Sequence, residues 1–129
     1  MIRPPGVLRC LFVLLLCDVA LRTAGYARTL RIARRLAGER TGSASDDVVR
    51  QTLHNILVAT ALYPGRSKCL EQALAGFVLL CRRGAAVQIR LGVQPYPFTA
   101  HAWLELDGMP VTELPEVVAN FALLPDPAV

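Results

Sequence analysis

The sequence predicts an α+β fold in which helices come first and a small antiparallel sheet follows. Apolar residues recur at helical spacing in successive segments between residues 7 and 83, which is typical of helices that bury one face. The spacing then changes to alternation at residues 87–93 and 100–106, as expected of half-buried strands. Asp107-Gly108 is a hairpin-turn sequence and predicts a return strand at residues 109–113.

The length indicates one domain, because 129 residues suffice for a substantial core but leave no room for a second one. Within this single domain (1–129) we distinguish an N-terminal basic helical unit at residues 1–44 from a core at residues 45–129. A loop rich in glycine, serine and threonine at residues 38–45 separates the two. We interpret this loop as a hinge or surface loop within one domain.

The net charge of +4 is unevenly distributed. Residues 1–40 carry eight arginines and two carboxylates, whereas residues 41–129 carry six basic and eight acidic side chains. A basic end beside a slightly acidic half favours an acidic protein or peptide partner over nucleic acid. The simpler alternative is that the arginines form a solvated helix face.

The N-terminus resembles an export signal only superficially. An apolar run from Cys10 to Cys17 follows a basic start, but Asp18 interrupts it and no A-x-A cleavage site follows. The run is also too short and too interrupted to span a bilayer. Membrane association is not expected. We interpret Val7–Arg22 as a buried or interfacial helix, with an export signal as the alternative.

Three more helices are predicted before the sheet. Gly25 marks a break, after which a helix at 28–37 buries Leu30, Ala33, Leu36 and Ala37 and exposes Arg28, Arg31 and Arg35. Ser45 is a predicted N-cap for a helix that ends near Tyr63 and buries Val49, Leu53, Ile56, Leu57 and Thr60. Ser67 is a predicted cap for the next helix, whose buried stripe comprises Leu70, Ala73, Leu74, Phe77, Val78 and Cys81.

The predicted sheet is interrupted by prolines. Residues 94–98 contain two of them, which remove ladder donors, so a loop is predicted there. In the following strand, alternation places His101, Trp103 and Glu105 on one face. Pro115 ends the return strand, and one short helix is predicted at residues 116–124.

The four cysteines predict neither a metal site nor a disulfide framework. They form no C-x-x-C pair and are accompanied by only two histidines, so no metal and no cofactor is expected. Cys10 and Cys17 lie on one helix face, where a mutual disulfide is geometrically difficult. Together with Cys81 they are interpreted as small buried hydrophobic residues in a reducing compartment, which predicts a cytoplasmic protein.

Cys69 differs from the other cysteines because it lies in the first turn of its predicted helix. Exposed backbone N–H groups and the helix dipole stabilise a thiolate there, and Lys68 adds positive charge. The Cys69 N–H also points toward the position of an oxyanion in acyl transfer. His101 is the only histidine in the strand-rich half, and a thiolate paired with an imidazolium is an activated nucleophile. Either residue alone is commonly a packing residue, so it is the pair that indicates catalysis.

A catalytic histidine also needs an acceptor that orients its ring. Glu105 shares the face of His101 but lies about 13 Å along the strand, and Asp107 is farther. Glu113 is the remaining candidate for this acceptor, and the register of the hairpin determines whether its side chain points toward His101. A two-residue loop turns Glu113 away unless the strand end curls before Pro115, whereas a three-residue loop at 106–108 directs it to His101. We therefore predict a three-residue bulged hairpin.

Several motifs together resemble one family. They are Arg-Ser-Lys-Cys-Leu-Glu-Gln-Ala-Leu at 66–74, Arg-Arg-Gly at 82–84, Arg-Leu-Gly-Val at 90–93, Pro-Tyr-Pro-Phe-Thr-Ala-His-Ala-Trp-Leu-Glu at 95–105 and Asp-Gly at 107–108. Over residues 64–124 the chain is similar to the lasso-peptide biosynthesis B2 proteins, which are cysteine peptidases with a transglutaminase-like, papain-like core. The resemblance implies that core at residues 45–129, a nucleophile at a helix N-terminus, and a triad of Cys69, His101 and Glu113. Some members have aspartate at the third position, so Glu113 departs from their pattern.

The resemblance also implies a function and partners. B2 proteins remove the leader from a ribosomally synthesised precursor peptide, before a separate ATP-dependent lasso cyclase closes the macrolactam. Some members carry a fused leader-recognition domain, for which this chain has no room. The chain thus resembles the split form, in which a separate leader-binding B1 protein presents the leader. The arginines of residues 22–40 are a predicted docking face for that partner or for acidic parts of the leader.

Two alternatives to peptide hydrolysis use the same residues. The same fold and triad can transfer the acyl group to an amine, and a non-catalytic adaptor can hold the precursor for another enzyme. Gln72, about one turn beyond Cys69, either binds substrate or is a solvated polar residue. Trp103 either walls the site or packs in the core.

Overall fold

The computed structural model describes residues 6–38, 42, 44–64, 69–95 and 98–124. Over these ranges the elements are α1 (Val7–Ala37), α2 (Asp46–Leu62), α3 (Cys69–Arg82), β1 (Val87–Pro95), β2 (Phe98–Leu106), β3 (Met109–Pro110), α4 (Pro115–Val118) and β4 (Ala122–Leu123). The predicted α+β order, with helices before an antiparallel sheet, is confirmed.

Helix α1 is bent at Gly25, as predicted. Gly25 has φ 82° and ψ 170° inside the helix, a conformation that favours glycine. One face of the first half is buried through Cys10, Leu14 and Cys17, while another exposes Leu8, Phe12, Leu15, Leu16 and Val19. Leu36, predicted to be buried, is exposed instead. Among the helices in the described ranges, none combines the length and apolar character needed to cross a membrane.

Helix α2 begins at the predicted cap. The Ser45 hydroxyl accepts a hydrogen bond from the Val48 N–H at 3.3 Å, which satisfies one unpaired donor of the first turn. Val49 and Ile56 are buried as expected, but Leu57 is 54% exposed. The spacing places Leu57 beside the buried stripe, on a side of α2 that the described elements leave partly uncovered. The prediction for Leu57 is therefore wrong.

Asp18 connects α1 to the end of α2. Its carboxylate accepts hydrogen bonds from the Tyr63 hydroxyl at 2.7 Å and from Arg22 Nε at 2.9 Å. The charge that interrupts the apolar run of α1 thus has a structural function, because it holds the C-terminal end of α2 against α1.

Helix α3 is the centre of the core. Its residues from Ala73 to Cys81 are all buried, and it contacts α1, α2, β1 and β2. A Cβ at Gly76 would lie 2.7 Å from Leu104 Cδ1, so the glycine lets β2 approach the helix closely. The predicted cap Ser67 lies outside the described residues.

The sheet has the strand order β3-β2-β1-β4 and is antiparallel throughout. Strands β1 and β2 pair over their full lengths, from Val87 opposite Leu106 to Pro95 opposite Phe98. The predicted loop at 94–98 is therefore too long, since Gln94, Pro95 and Phe98 belong to strands. Pro95 is tolerated because it is the last residue of its strand.

The C-terminal segment departs from the predicted helix at 116–124. Only Pro115–Val118 is helical, and Ala122–Leu123 form β4, which pairs with Val93 and Gly92 of β1. Two paired residues are too few to give a pattern of alternation, which is why the sequence did not indicate this strand. The predicted return strand is also shorter, since β3 ends at Pro110.

The hairpin turn contradicts the predicted bulge. Leu106 pairs with Met109, so the loop consists of Asp107 and Gly108 alone. Their φ angles are 53° and 79°, the left-handed values of a type I′ turn. Asp tolerates this conformation better than most residues because its short side chain can hydrogen-bond locally. Asp-Gly thus closes the hairpin without a third residue.

Candidate active site

His101 and Glu113 lie together even though the hairpin has the register predicted to separate them. The distance from His101 Nε2 to Glu113 Oε2 is 2.7 Å. The chain leaves the ladder after β3: the Val111 N–H still donates to the Leu104 carbonyl, but the Leu104 N–H donates to Thr112 Oγ1, both at 2.9 Å. The strand end thus curls before Pro115 and carries Glu113 back to His101.

Both carboxylate oxygens of Glu113 accept hydrogen bonds. Oε2 faces His101, and Oε1 accepts from the Leu114 N–H at 3.0 Å. A carboxylate is an acceptor only, so His101 Nε2 carries the proton and Nδ1 of the neutral ring holds a lone pair. Nδ1 is therefore the nitrogen available to take a proton from a nucleophile.

Aromatic rings flank the His101 ring. Its centroid lies 6.0 Å from that of Trp103 and 5.6 Å from that of Phe121. Gly92 stands opposite His101, and a Cβ there would lie 2.7 Å from Trp103 Cη2 and 2.8 Å from Phe121 Cβ. The glycine is what allows these rings to pack on β1, and the rings restrict the orientation of the imidazole.

The indole N–H of Trp103 is hydrogen-bonded to Glu105, while the face of the indole ring lies beside His101. Trp103 is fully buried, and its Nε1 donates to Glu105 Oε2 at 3.2 Å. The other oxygen of Glu105 accepts from Arg90 Nε at 3.1 Å. This geometry agrees with the prediction that Glu105 does not orient His101, and it gives Trp103 the environment of a packing residue.

Cys69 is the first residue of α3 and its side chain is half-buried. The chain reverses direction between α3 and β1, and it reverses a second time between β1 and β2. Helix α3 and strand β2 therefore run in the same direction, and their N-terminal ends lie at the same end of the fold. From the contact of Gly76 with Leu104, Cys69 and His101 each lie about 10 Å back along their elements. Within the described residues, the Cys69 thiol and His101 form no hydrogen bond with each other.

A groove of about 260 Å³ lies between α2, the start of α3 and the segment after β3. It is lined by Leu53, Ile56, Leu57, Gln72, Val111, Thr112, Glu113 and Leu114. Gln72 follows Cys69 by three residues on the same helix face, and Glu113 is bonded to His101. The groove therefore borders both the helix start that carries Cys69 and the His101–Glu113 pair. A larger hollow of about 480 Å³ lies along α2 at Asp47–His54, where the described lining includes no cysteine.

The other three cysteines are buried and form no disulfide bond. Burial raises the pKa of Cys17 to about 12 and also raises the pKa of Cys10. Cys81 Sγ donates to the Val87 carbonyl at 3.8 Å. Buried thiols of this kind are unreactive, which leaves Cys69 as the accessible one. Within the described residues, no cluster of three or more His, Cys, Asp or Glu side chains could hold a metal ion.

Two of the residues that border the site were not found from the sequence. Phe121 was assigned to a helix, and only the pairing of β4 with β1 explains its position over His101. Leu57 was assigned to the core, whereas it lines the groove. Both positions depend on contacts between segments distant in the chain, which local patterns do not contain.

Residues 8–125 match the family described as the transglutaminase-like superfamily, which is nearly the whole chain. No curated protein and no solved structure matches the sequence.

Proposed function

Because the chain belongs to the transglutaminase-like superfamily, which includes cysteine peptidases and acyltransferases, we propose that it is a cysteine endopeptidase. In this proposal Cys69 is the nucleophile, His101 the general base and acid, and Glu113 the residue that orients His101. The observation that carries it is the 2.7 Å contact between His101 Nε2 and Glu113 Oε2, beside a groove that reaches the first turn of α3.

The proposed reaction has two steps. The Cys69 thiol transfers its proton to His101 Nδ1, and the sulfur attacks the carbonyl carbon of the scissile bond. The backbone N–H groups at the start of α3 stabilise the oxyanion. His101 then protonates the leaving amine as the C–N bond breaks, which leaves a thioester. In the second step His101 takes a proton from water, the hydroxyl attacks the thioester, and the thiol is released.

Glu113 supports the charge that develops on His101. The imidazole becomes a cation in each step, and a carboxylate hydrogen-bonded to Nε2 stabilises that cation and fixes the ring orientation. The second hydrogen bond of Glu113, from the Leu114 N–H, prevents the carboxylate from rotating away.

The substrate we propose is the precursor of a lasso peptide, from which the enzyme removes the leader. This rests on the motifs at 66–74 and 95–105, which resemble those of the B2 proteins. A separate leader-binding protein would present the precursor, and an ATP-dependent cyclase would use the released core. We propose that the reaction takes place in the cytoplasm, where four cysteines that form no disulfide bond remain reduced.

The decisive experiment is incubation with the precursor peptide and the leader-binding protein, followed by mass spectrometry. The wild type should release free leader, and Cys69→Ala should release none while its circular dichroism spectrum is unchanged. Cys10→Ala, which removes a buried thiol outside the site, is the control and should retain cleavage.

The same experiment separates the alternatives. An acyl adduct on an added amine, without free leader, would identify an acyltransferase. Processing that continues unchanged with Cys69→Ala would identify a non-catalytic adaptor and refute the peptidase proposal.

A further inference from the structure

We propose that the groove beside Glu113 is the subsite for one aliphatic side chain of the peptide substrate, adjacent to the scissile bond. This inference rests on the proposed function and specifies which substrates the site accepts. Its evidence is the composition of the groove walls, the hydrogen bonds of the polar groups at one end, and the position of Gln72 three residues after Cys69.

The walls of the groove are aliphatic. Leu53, Ile56 and Leu57 come from α2, and Val111 and Leu114 come from the segment after β3. Leu57 is 54% exposed and Leu114 is 62% exposed, so the groove presents apolar surface that an occupant would cover. An aliphatic side chain is the occupant that gains most from this surface.

The volume limits the occupant to about one residue. The groove measures about 260 Å³, below the roughly 300–1,000 Å³ of pockets that enclose whole small ligands. A leucine-sized side chain with its own peptide group fits this volume, whereas a helix of a partner protein does not. The groove therefore recognises a position in an extended chain.

The polar end of the groove suits a peptide group rather than a charge. Both oxygens of Glu113 already accept hydrogen bonds, and its negative charge faces His101. Gln72 makes no side-chain hydrogen bond among the described residues, so its amide offers a donor and an acceptor. A basic side chain would compete with His101 for the charge of Glu113, while a backbone amide would find a partner in Gln72.

The position of Gln72 places the bound residue beside the scissile bond. Residues three apart on a helix are neighbours on one face, about 5–6 Å between Cβ atoms, so Gln72 adjoins Cys69. A peptide group held by Gln72 therefore lies within about one residue of the carbonyl that Cys69 attacks. The aliphatic side chain belongs to a residue next to that carbonyl.

The first test measures cleavage of a library of ten-residue peptides, randomised around the cleaved bond and read by mass spectrometry. We expect one position beside the bond to favour leucine, isoleucine or valine over aspartate and lysine at least tenfold. Leu57→Gln should reduce kcat/KM for the preferred peptides about tenfold, mainly by raising KM. Leu62→Gln is the matched control, because Leu62 is an exposed leucine of the same helix that does not line the groove. Equal losses for the two variants, or no aliphatic preference, would overturn the inference.

The second test does not require activity. N-acetyl-leucine amide is titrated into ¹⁵N-labelled Cys69→Ala protein, and the Gln72 side-chain NH₂ resonances are followed. We expect N-acetyl-leucine amide to cause saturable shifts of these resonances. The additional substitution Leu57→Gln should abolish the shifts, whereas Leu62→Gln should preserve them. N-acetyl-aspartate amide should cause no saturable shifts. Absence of saturable shifts at Gln72 would refute the subsite. If N-acetyl-leucine amide binds at Gln72 but the wild-type protein cleaves no peptide, the peptidase proposal is refuted and the subsite is retained. Failure of the subsite and failure of the peptidase proposal are therefore distinguishable.

Discussion

At the scale of single residues, Glu113 is fixed by two hydrogen bonds and its carboxylate lies against the imidazole edge of His101. This arrangement supports the electrostatic role that we propose for Glu113.

We predict that Glu113→Gln lowers kcat about 10²- to 10⁴-fold with little change in stability. The amide oxygen can still accept from His101 Nε2, but a neutral group cannot stabilise the imidazolium. Steady-state kinetics and urea unfolding measure the two effects. Glu116→Gln, an exposed glutamate on α4, is the control. A kcat equal to that of the wild type would exclude Glu113 from catalysis.

Cys69 and His101 could be singled out from the sequence because the hypothesis depends on chemical type and local position, and their catalytic roles stay a prediction. A cysteine at a helix start and a histidine on a strand are visible in the pattern. The prediction of a three-residue bulged hairpin, by contrast, is wrong. Thr112 Oγ1 replaces a backbone carbonyl as the acceptor for Leu104 N–H, and no local pattern reveals such an exchange.

At the scale of elements, the caps and breaks of the helices were easier to predict than the exposure of individual side chains. The Ser45 cap and the break at Gly25 are local effects, and both are confirmed. Leu36 and Leu57 lie beside buried stripes, and their exposure depends on whether another element covers that side. The two-residue strand β4 likewise exists only through its pairing with β1.

The link between α1 and α2 through Asp18 should make stability depend on pH. The hydrogen bond from Tyr63 and then that from Arg22 hold the pKa of the Asp18 carboxyl below its ordinary value. A carboxyl with a lower pKa in the folded state stabilises the fold above about pH 4, and this contribution is lost as the pH falls through the folded pKa.

We therefore expect Asp18→Asn to be less stable than the wild type at pH 7, and the difference to diminish toward about pH 2. Urea unfolding at several pH values measures it. Tyr63→Phe, which removes the main hydrogen-bond donor without a change of charge, should reproduce part of the effect. A difference that stays constant from neutral to acidic pH would contradict this account of Asp18.

At the scale of the whole molecule, positive charge is concentrated on the second half of α1. Arg28, Arg31 and Arg35 are all exposed there, separated by the bend at Gly25 from the apolar first half. We propose this surface as the docking site for the leader-binding partner or for acidic leader residues. Charges on a surface of this kind act mainly on the rate of association.

Charge reversal of Arg28, Arg31 and Arg35 to glutamate should lower partner-dependent cleavage by about tenfold at low ionic strength, with a smaller loss at high salt. The partner-independent rate should not change, because none of the three lines the groove or contacts His101. Arg50→Glu reverses an exposed charge on α2 and is the control. Unchanged partner-dependent rates would dismiss this surface.

The difference in exposure between Cys69 and the three buried cysteines provides a way to count folded molecules. Three are enclosed by the core, and Cys69 alone is partly open to solvent. A brief exposure of the native protein to iodoacetamide should alkylate one sulfur per chain, and the same treatment in urea should alkylate four. Electrospray mass spectra report the stoichiometry directly. The fraction of singly labelled chains then measures the fraction of correctly folded protein, with no need for a known substrate.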